Sequence, residues 1–135
     1  MGFRLEKVHA PSHSDHDLTE ALFRILEGIC NSWQLSPTTE LAEILQRQPS
    51  TVSDWFTRKH VHVSPSKPSP NDLLIYEFID FYDSVSSLFL RSGDQIKWLR
   101  SVSTDFGNRS LLQLLKTDPK NIYALHEWIN HTRQP

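Results

Sequence analysis

Apolar residues recur along this chain at intervals of three and four, and no segment alternates as a strand would. Leu18, Leu22, Ile25, Ile29 and Trp33, with Leu26 beside them, form the first stripe and predict an amphipathic helix of about four turns. Asp17 and Glu20 fit a capping box at its start. Gly28 weakens this helix by roughly 1 kcal/mol relative to Ala, and close approach of a neighbouring helix is the expected compensation. Ser36 then caps a second helix, with Pro37 at the first helical position, where a missing amide costs nothing. Leu41, Ala42, Ile44 and Leu45 are its buried side. After Gln46-Arg47-Gln48-Pro49 a third helix is predicted from Ser50 or Thr51, with Val52, Trp55 and Phe56 turned inward.

Three prolines and three serines in 61–70 favour extended backbone and predict a linker. Beyond it, Ser69, Pro70 and Asp72 open what reads as the longest helix, with Leu74, Phe78, Phe81, Tyr82, Val85, Leu88 and Phe89 on one face. Leu73, Ile75, Tyr76 and Ile79 make its first half apolar nearly all round, which suits a core helix that also meets a second copy of the chain. Ser92 with Gln95 and Ser110 with Gln113 both have capping-box spacing, predicting two short helices around an irregular loop. Gly107 and Asn108 tolerate positive φ, so the chain turns sharply between them. Asp118 and Pro119 open a last helix on the stripe Ile122, Leu125 and Ile129. The pattern as a whole predicts an all-α fold of about seven helices: a flexible arm at 1–16, a helical module at 17–60, the linker at 61–70 and a second module at 71–135.

Composition narrows the function. Fourteen basic residues against sixteen acidic ones leave a formal charge of −2, which argues against a strongly electrostatic nucleic-acid binder. With 38% hydrophobic residues, the chain has no apolar run near the ~18 residues of a membrane span, and a cytoplasmic location is expected. Cys30 stands among Ile25, Ile29 and Trp33 and reads as a buried structural thiol. His9, His13 and His16 have helical spacing, but Pro11 interrupts them and no cysteine accompanies them, so they are expected to be solvent-exposed histidines rather than metal ligands, like His60 and His62. No phosphate loop, paired-carboxylate layout, HExxH or GxSxG occurs, and neither catalysis nor a cofactor is expected.

Two constellations remain. Thr38 to Phe56, a short helix, a tight turn and a second short helix with Ala42 at the crossing, fits the helix-turn-helix pattern, although the usual turn Gly is replaced by Gln46 or Arg47. The exposed side of the third helix would then contact DNA through Ser50, Thr51, Ser53, Asp54 and Thr57, with Arg58 and Lys59 on phosphates. The second constellation is the order Trp98-Leu99-Arg100, a polar gap, Phe106-Gly107, Ser110 opening a helix, then Leu111, Leu112, Leu114 and Leu115. Together with LFRILEGICNSWQLSPTTELAEILQRQPSTVSDWF, it resembles the Xre/MbcA/ParS antitoxins over about residues 18 to 134. In that family a Gly pair stands where this chain has Gly107-Asn108, and Pro is common at Leu111.

The resemblance implies an Xre-like helix-turn-helix module followed by a toxin-binding module, and as partners a RES-domain toxin, operator DNA and a second copy of the chain. It places toxin binding on the loop Gly107, Asn108, Arg109 and Ser110, and on Tyr123, His126, Trp128, His131 and Arg133 of the last helix, residues not needed for that helix's apolar stripe. A helix-turn-helix regulator without a toxin, and a purely structural helical adaptor, are the alternatives.

Overall fold

A computed structural model describes residues 14–64, 66–89 and 91–133, with the backbone alone at 14–16, 92, 132 and 133. Seven α-helices account for the described architecture, joined by one small two-stranded ladder, and the described residues are 73% helical. They are α1 (Ser14–Trp33), α2 (Pro37–Leu41 continuing as Ala42–Ile44), α3 (Pro49–Arg58), α4 (Pro70–Ser86), α5 (Ser92–Arg100), α6 (Leu111–Thr117) and α7 (Lys120–Arg133). The ladder pairs β1 (Val102–Ser103) with β2 (Arg109–Ser110) antiparallel.

The helical stripes become one continuous core. Leu18, Leu22, Leu26, Ile29 and Trp33 of α1 join Leu41 and Ile44, Val52 and Trp55, Phe78 and Phe81, Leu99, Leu115, Ile122 and Ile129 in a single cluster of buried side chains. Trp33 sits where α1, α4 and α5 meet. It is fully buried, edge-on to Phe78 and Phe81 at 6.1 and 6.2 Å, and 5.0 Å from Tyr82. Its indole N–H donates to Gln95 Oε1 at 2.9 Å. Truncating a buried Trp of this kind costs about 3–5 kcal/mol.

The stretch 61–70 is bonded to both sides of the core. The Val61 amide donates to Thr19 O at 3.1 Å, and the Val61 side chain is buried. Asp72, in the first turn of α4, accepts from Arg47 Nη2 at 2.8 Å and from the amides of Ser64 and Ser69 at 3.3 and 3.2 Å. Arg47 also lies over the Trp55 ring, 5.4 Å from its centroid. Helix α4 opens at Ser69 and Pro70 as the sequence predicts, with a capping box in which Ser69 Oγ accepts the Asp72 amide.

Several expectations are corrected. Helix α1 begins at Ser14, so Asp17 and Glu20 lie inside it rather than at its cap; at 20 residues it is also longer than α4, which has 17. Gly28 has no neighbour within 4 Å of a Cβ built on it, so no helix packs there to compensate it. The first turn of α2 is widened, with the Leu41 amide reaching Ser36 O. Helix α5 is capped at Arg91 with no side-chain hydrogen bond, because Gln95 turns inward to Trp33. The two-residue strands are too short for a period of two to show in the sequence. His9 and His13 lie outside the described residues.

Burial alone would raise the Asp72 carboxyl, but the Arg47 guanidinium and the Ser69 and Ser64 amides outweigh it and hold it below its ordinary 3.8. A depressed carboxylate contributes stability that is present above the unfolded value and lost as pH falls through the folded one. Asp72→Asn is therefore expected to cost about 3 kcal/mol in urea unfolding at neutral pH, since it strands Arg47. The gap to the parent should close as pH drops below 3.8; a gap that stays constant across that range would contradict this role.

Candidate interaction surface

Gln95 and Leu99 face the core from α5, so helical geometry turns Asp94 and Lys97 outward, while Trp98 lies on the flank, partly buried against the core. There they meet the loop that follows. Arg100 anchors the end of α5 by donating to Gln34 O at 2.8 Å and to Glu40 Oε2 at 3.2 Å. Burial opposes ionisation of Glu40, but the Ser36 amide and Arg100 outweigh it and lower its pKa. At Ser101 the backbone leaves the helix for extended conformation.

The loop is closed on itself by hydrogen bonds. Val102 pairs with Ser110 and Ser103 with Arg109. Between them Thr104–Phe106 makes a tight 3₁₀ turn, begun by Ser103 Oγ, which accepts the Asp105 amide at 3.1 Å. Gly107 and Asn108 follow at φ of 66° and 63°, and two consecutive left-handed residues reverse the chain so that the Asn108 amide reaches Ser103 O at 2.9 Å. Ser110 then opens α6 with a complete capping box to Gln113.

Trp128 of α7 comes up beside this loop, 48% exposed. Together they enclose a groove of about 610 Å³, with Phe89, Trp98, Phe106, Leu111 and Trp128 as its apolar lining and Asp94, Lys97 and Asp105 at its polar edge. Phe89 and Trp98 pack against each other at 5.6 Å. Of the loop and helix residues expected to bind a partner, Gly107, Asn108, Arg109 and Ser110 are contiguous next to this groove, and Trp128 lines it. The Ser110 side chain is buried in its cap, whereas Arg109 and His131 are exposed. Tyr123 is 46% exposed and outside the groove lining. The Arg133 side chain lies outside the described residues. Sequence reasoning missed Phe89, Asp94 and Lys97; Trp98 and Phe106 carried the family pattern without being placed in a site.

His126 points the other way. Its Nδ1 is 2.7 Å from Glu77 Oε1 and its Nε2 2.9 Å from Ser84 Oγ, with Phe81 edge-on at 6.3 Å. These are the distances of a nucleophile, base and carboxylate in series. Ser84, however, lies inside α4 and is 8% exposed, and the amides around it are spent in the helix's own bonds, so no donor pair stands ready for an oxyanion. What the chain of bonds does is tie α7 to α4. Burial, with Glu40 and Glu27 adding to it, pushes the Cys30 thiol up to about 12, which keeps it an unreactive core residue.

On the far side, the Pro37–Leu41 part of α2 packs on α3, and Ala42 is buried. Gln46 takes the left-handed position of the intervening turn at φ 56°, the place where Gly was expected, and the Arg47 amide closes onto Ala42 O. Ser50, Ser53, Thr57, Arg58 and Lys59 are exposed, and Thr51 and Asp54 partly so. Asp54 Oδ1 accepts from Arg58 Nε at 2.8 Å, and Thr57 Oγ1 donates to Ser53 O. Among the described residues no group of three or more potential metal ligands occurs, and no helix is long and apolar enough to cross a membrane.

No family model matches the chain. No curated protein matches it either. Among solved structures it is similar to a chain of the crystal structure of the M. tuberculosis MbcT-MbcA toxin-antitoxin complex, with a TM-score of 0.51 and 16% identity, over 84% of this chain and 97% of that one. At that identity the likeness is one of fold.

Because only Arg109 Nη2, at 4.0 Å, would meet a Cβ at Gly107, the cost of a side chain there is the left-handed backbone itself. Gly107→Ala is expected to lower unfolding stability by about 1–2 kcal/mol. An unchanged urea midpoint would show that the loop does not hold this conformation in solution.

Proposed function

We propose that this chain is an antitoxin of the Xre/MbcA/ParS type, in which residues 71–135 bind and occlude a RES-domain, NAD-degrading toxin. The observation that carries the reading is the half-exposed Trp128 standing over an aromatic groove beside a hydrogen-bonded loop. Exposed aromatic residues set in a fixed frame are what binding hot spots are made of. The fold likeness to a chain of a toxin-antitoxin complex supports the same conclusion. The sequence of α7 ends on Arg133, whose positive charge complements a pocket made for an anionic dinucleotide. In this reading the chain acts by binding rather than by catalysis.

In the same reading, residues 17–60 are a helix-turn-helix module that lets the protein repress its own operon. The exposed row on α3 supports this. The Asp54–Arg58 pair is a surface pair worth about 0.3–0.5 kcal/mol, so a phosphate competes for Arg58 at little cost. Leu73, 46% exposed at the start of α4, offers apolar contact for a homodimer.

The test is co-expression with the toxin encoded beside it, reading growth, cellular NAD and a fusion of the native promoter to a reporter. Trp128→Ala is expected to fold normally and to weaken toxin binding by about 2 kcal/mol, enough to lose rescue. Arg58→Ala should relieve repression and leave rescue intact. Full rescue by a folded Trp128→Ala would contradict the toxin-binding assignment, and repression indifferent to Arg58 would contradict the DNA-binding one.

A further inference from the structure

The composition of the groove says what kind of group it takes. Its walls are aromatic, yet its edge carries two exposed carboxylates, Asp94 and Asp105, against one ammonium, Lys97. Any protein that covers this face removes those carboxylates from water, and one lysine leaves a negative charge uncompensated. The rings add a second requirement of the same sign, because the face of an indole or phenyl ring is negative and attracts a cation.

We propose that the groove receives a guanidinium-bearing side chain of the partner protein, stacked on the rings of Trp98, Phe106 and Trp128 and paired with Asp94 or Asp105. A guanidinium suits the site better than an ammonium. It is flat, so it stacks on an aromatic face, more weakly hydrated, so it leaves water at lower cost, and two-pronged toward a carboxylate. The volume of about 610 Å³ admits the whole side chain with room for a flanking residue. Lys97 lies one turn from Asp94 on α5 and opposes the incoming charge, which limits affinity and gives a handle on it. This inference rests on the reading above that this face meets a partner.

The experiment uses the full chain and the indole N–H signals of its four tryptophans. Trp98 and Trp128 report on the groove, and the fully buried Trp33 and Trp55 serve as internal controls. N-acetyl-arginine amide is titrated in parallel with its neutral isostere N-acetyl-citrulline amide and with N-acetyl-leucine amide. Saturable shifts are expected at Trp98 and Trp128 alone, with citrulline weaker by about tenfold, the loss of one charge-assisted contact. The double variant Asp94→Asn, Asp105→Asn should reduce arginine to the citrulline level, and Lys97→Gln should tighten arginine severalfold. Equal binding of arginine and leucine, arginine binding indifferent to the carboxylates, or shifts spread over all four indoles would overturn the proposal. Toxin neutralisation in cells is read separately: rescue without arginine preference sinks this inference and leaves the antitoxin reading standing, whereas arginine preference without rescue does the reverse.

Discussion

The hydrogen bond from Trp33 to Gln95, inside a shell of Phe78, Phe81 and Tyr82, is the contact on which the placement of everything else depends. A buried indole N–H left unpaired costs about 1–3 kcal/mol, so this polar pair helps hold α1 and α5 at one relative position. Once Gln95 faces inward, Leu99 follows on the same side one turn later. Asp94 and Lys97 then face out with Trp98 partly buried on the flank, and the three become one wall of the groove. Arg100, bonded to Gln34 O and Glu40, fixes where α5 ends and therefore where the loop begins. The Trp33–Gln95 contact thus bears on the geometry of a surface that contains no part of α1.

Helix type and order were legible because the apolar stripes are strong and three helix starts carry side-chain caps. Ser69 with Asp72, Ser110 with Gln113, and Asp118 accepting the Lys120 amide all act as their spacing suggests. The errors share a cause: a residue whose local and tertiary uses compete. Gln95 has capping-box spacing to Ser92, but a buried indole is a better partner than an exposed amide, and tertiary structure wins. Helix ends were harder to read for a similar reason. Three of them close in the left-handed conformation on Gln34, Gln46 and Lys59 rather than on Gly, so the usual signal is missing from the sequence.

The surface was legible only in part. Trp128 and the Gly107-Asn108 turn stood out, since a Trp off the apolar stripe and a pair of residues suited to positive φ are visible in one dimension. Phe89, Trp98 and Phe106 meet only in three dimensions, and Phe89 looked like the end of the α4 face although α4 stops at Ser86. His126, which the resemblance placed among the toxin-binding residues and which lies off the Ile122–Leu125–Ile129 stripe, has two polar partners on α4, Glu77 and Ser84, in a mostly buried position. Its contribution is to hold α7, and with it Trp128, against the body of the protein.

Hydrogen exchange, compared between the free chain and its complex with the proposed toxin partner, tests the central claim most directly. Amides of the loop 101–110 and of the end of α7 around Trp128 should gain protection on complex formation, while those of α3 from 50 to 59 exchange as before. Protection confined to α3 or to α4, with the loop unchanged, would contradict the assignment of this groove as the partner-binding face.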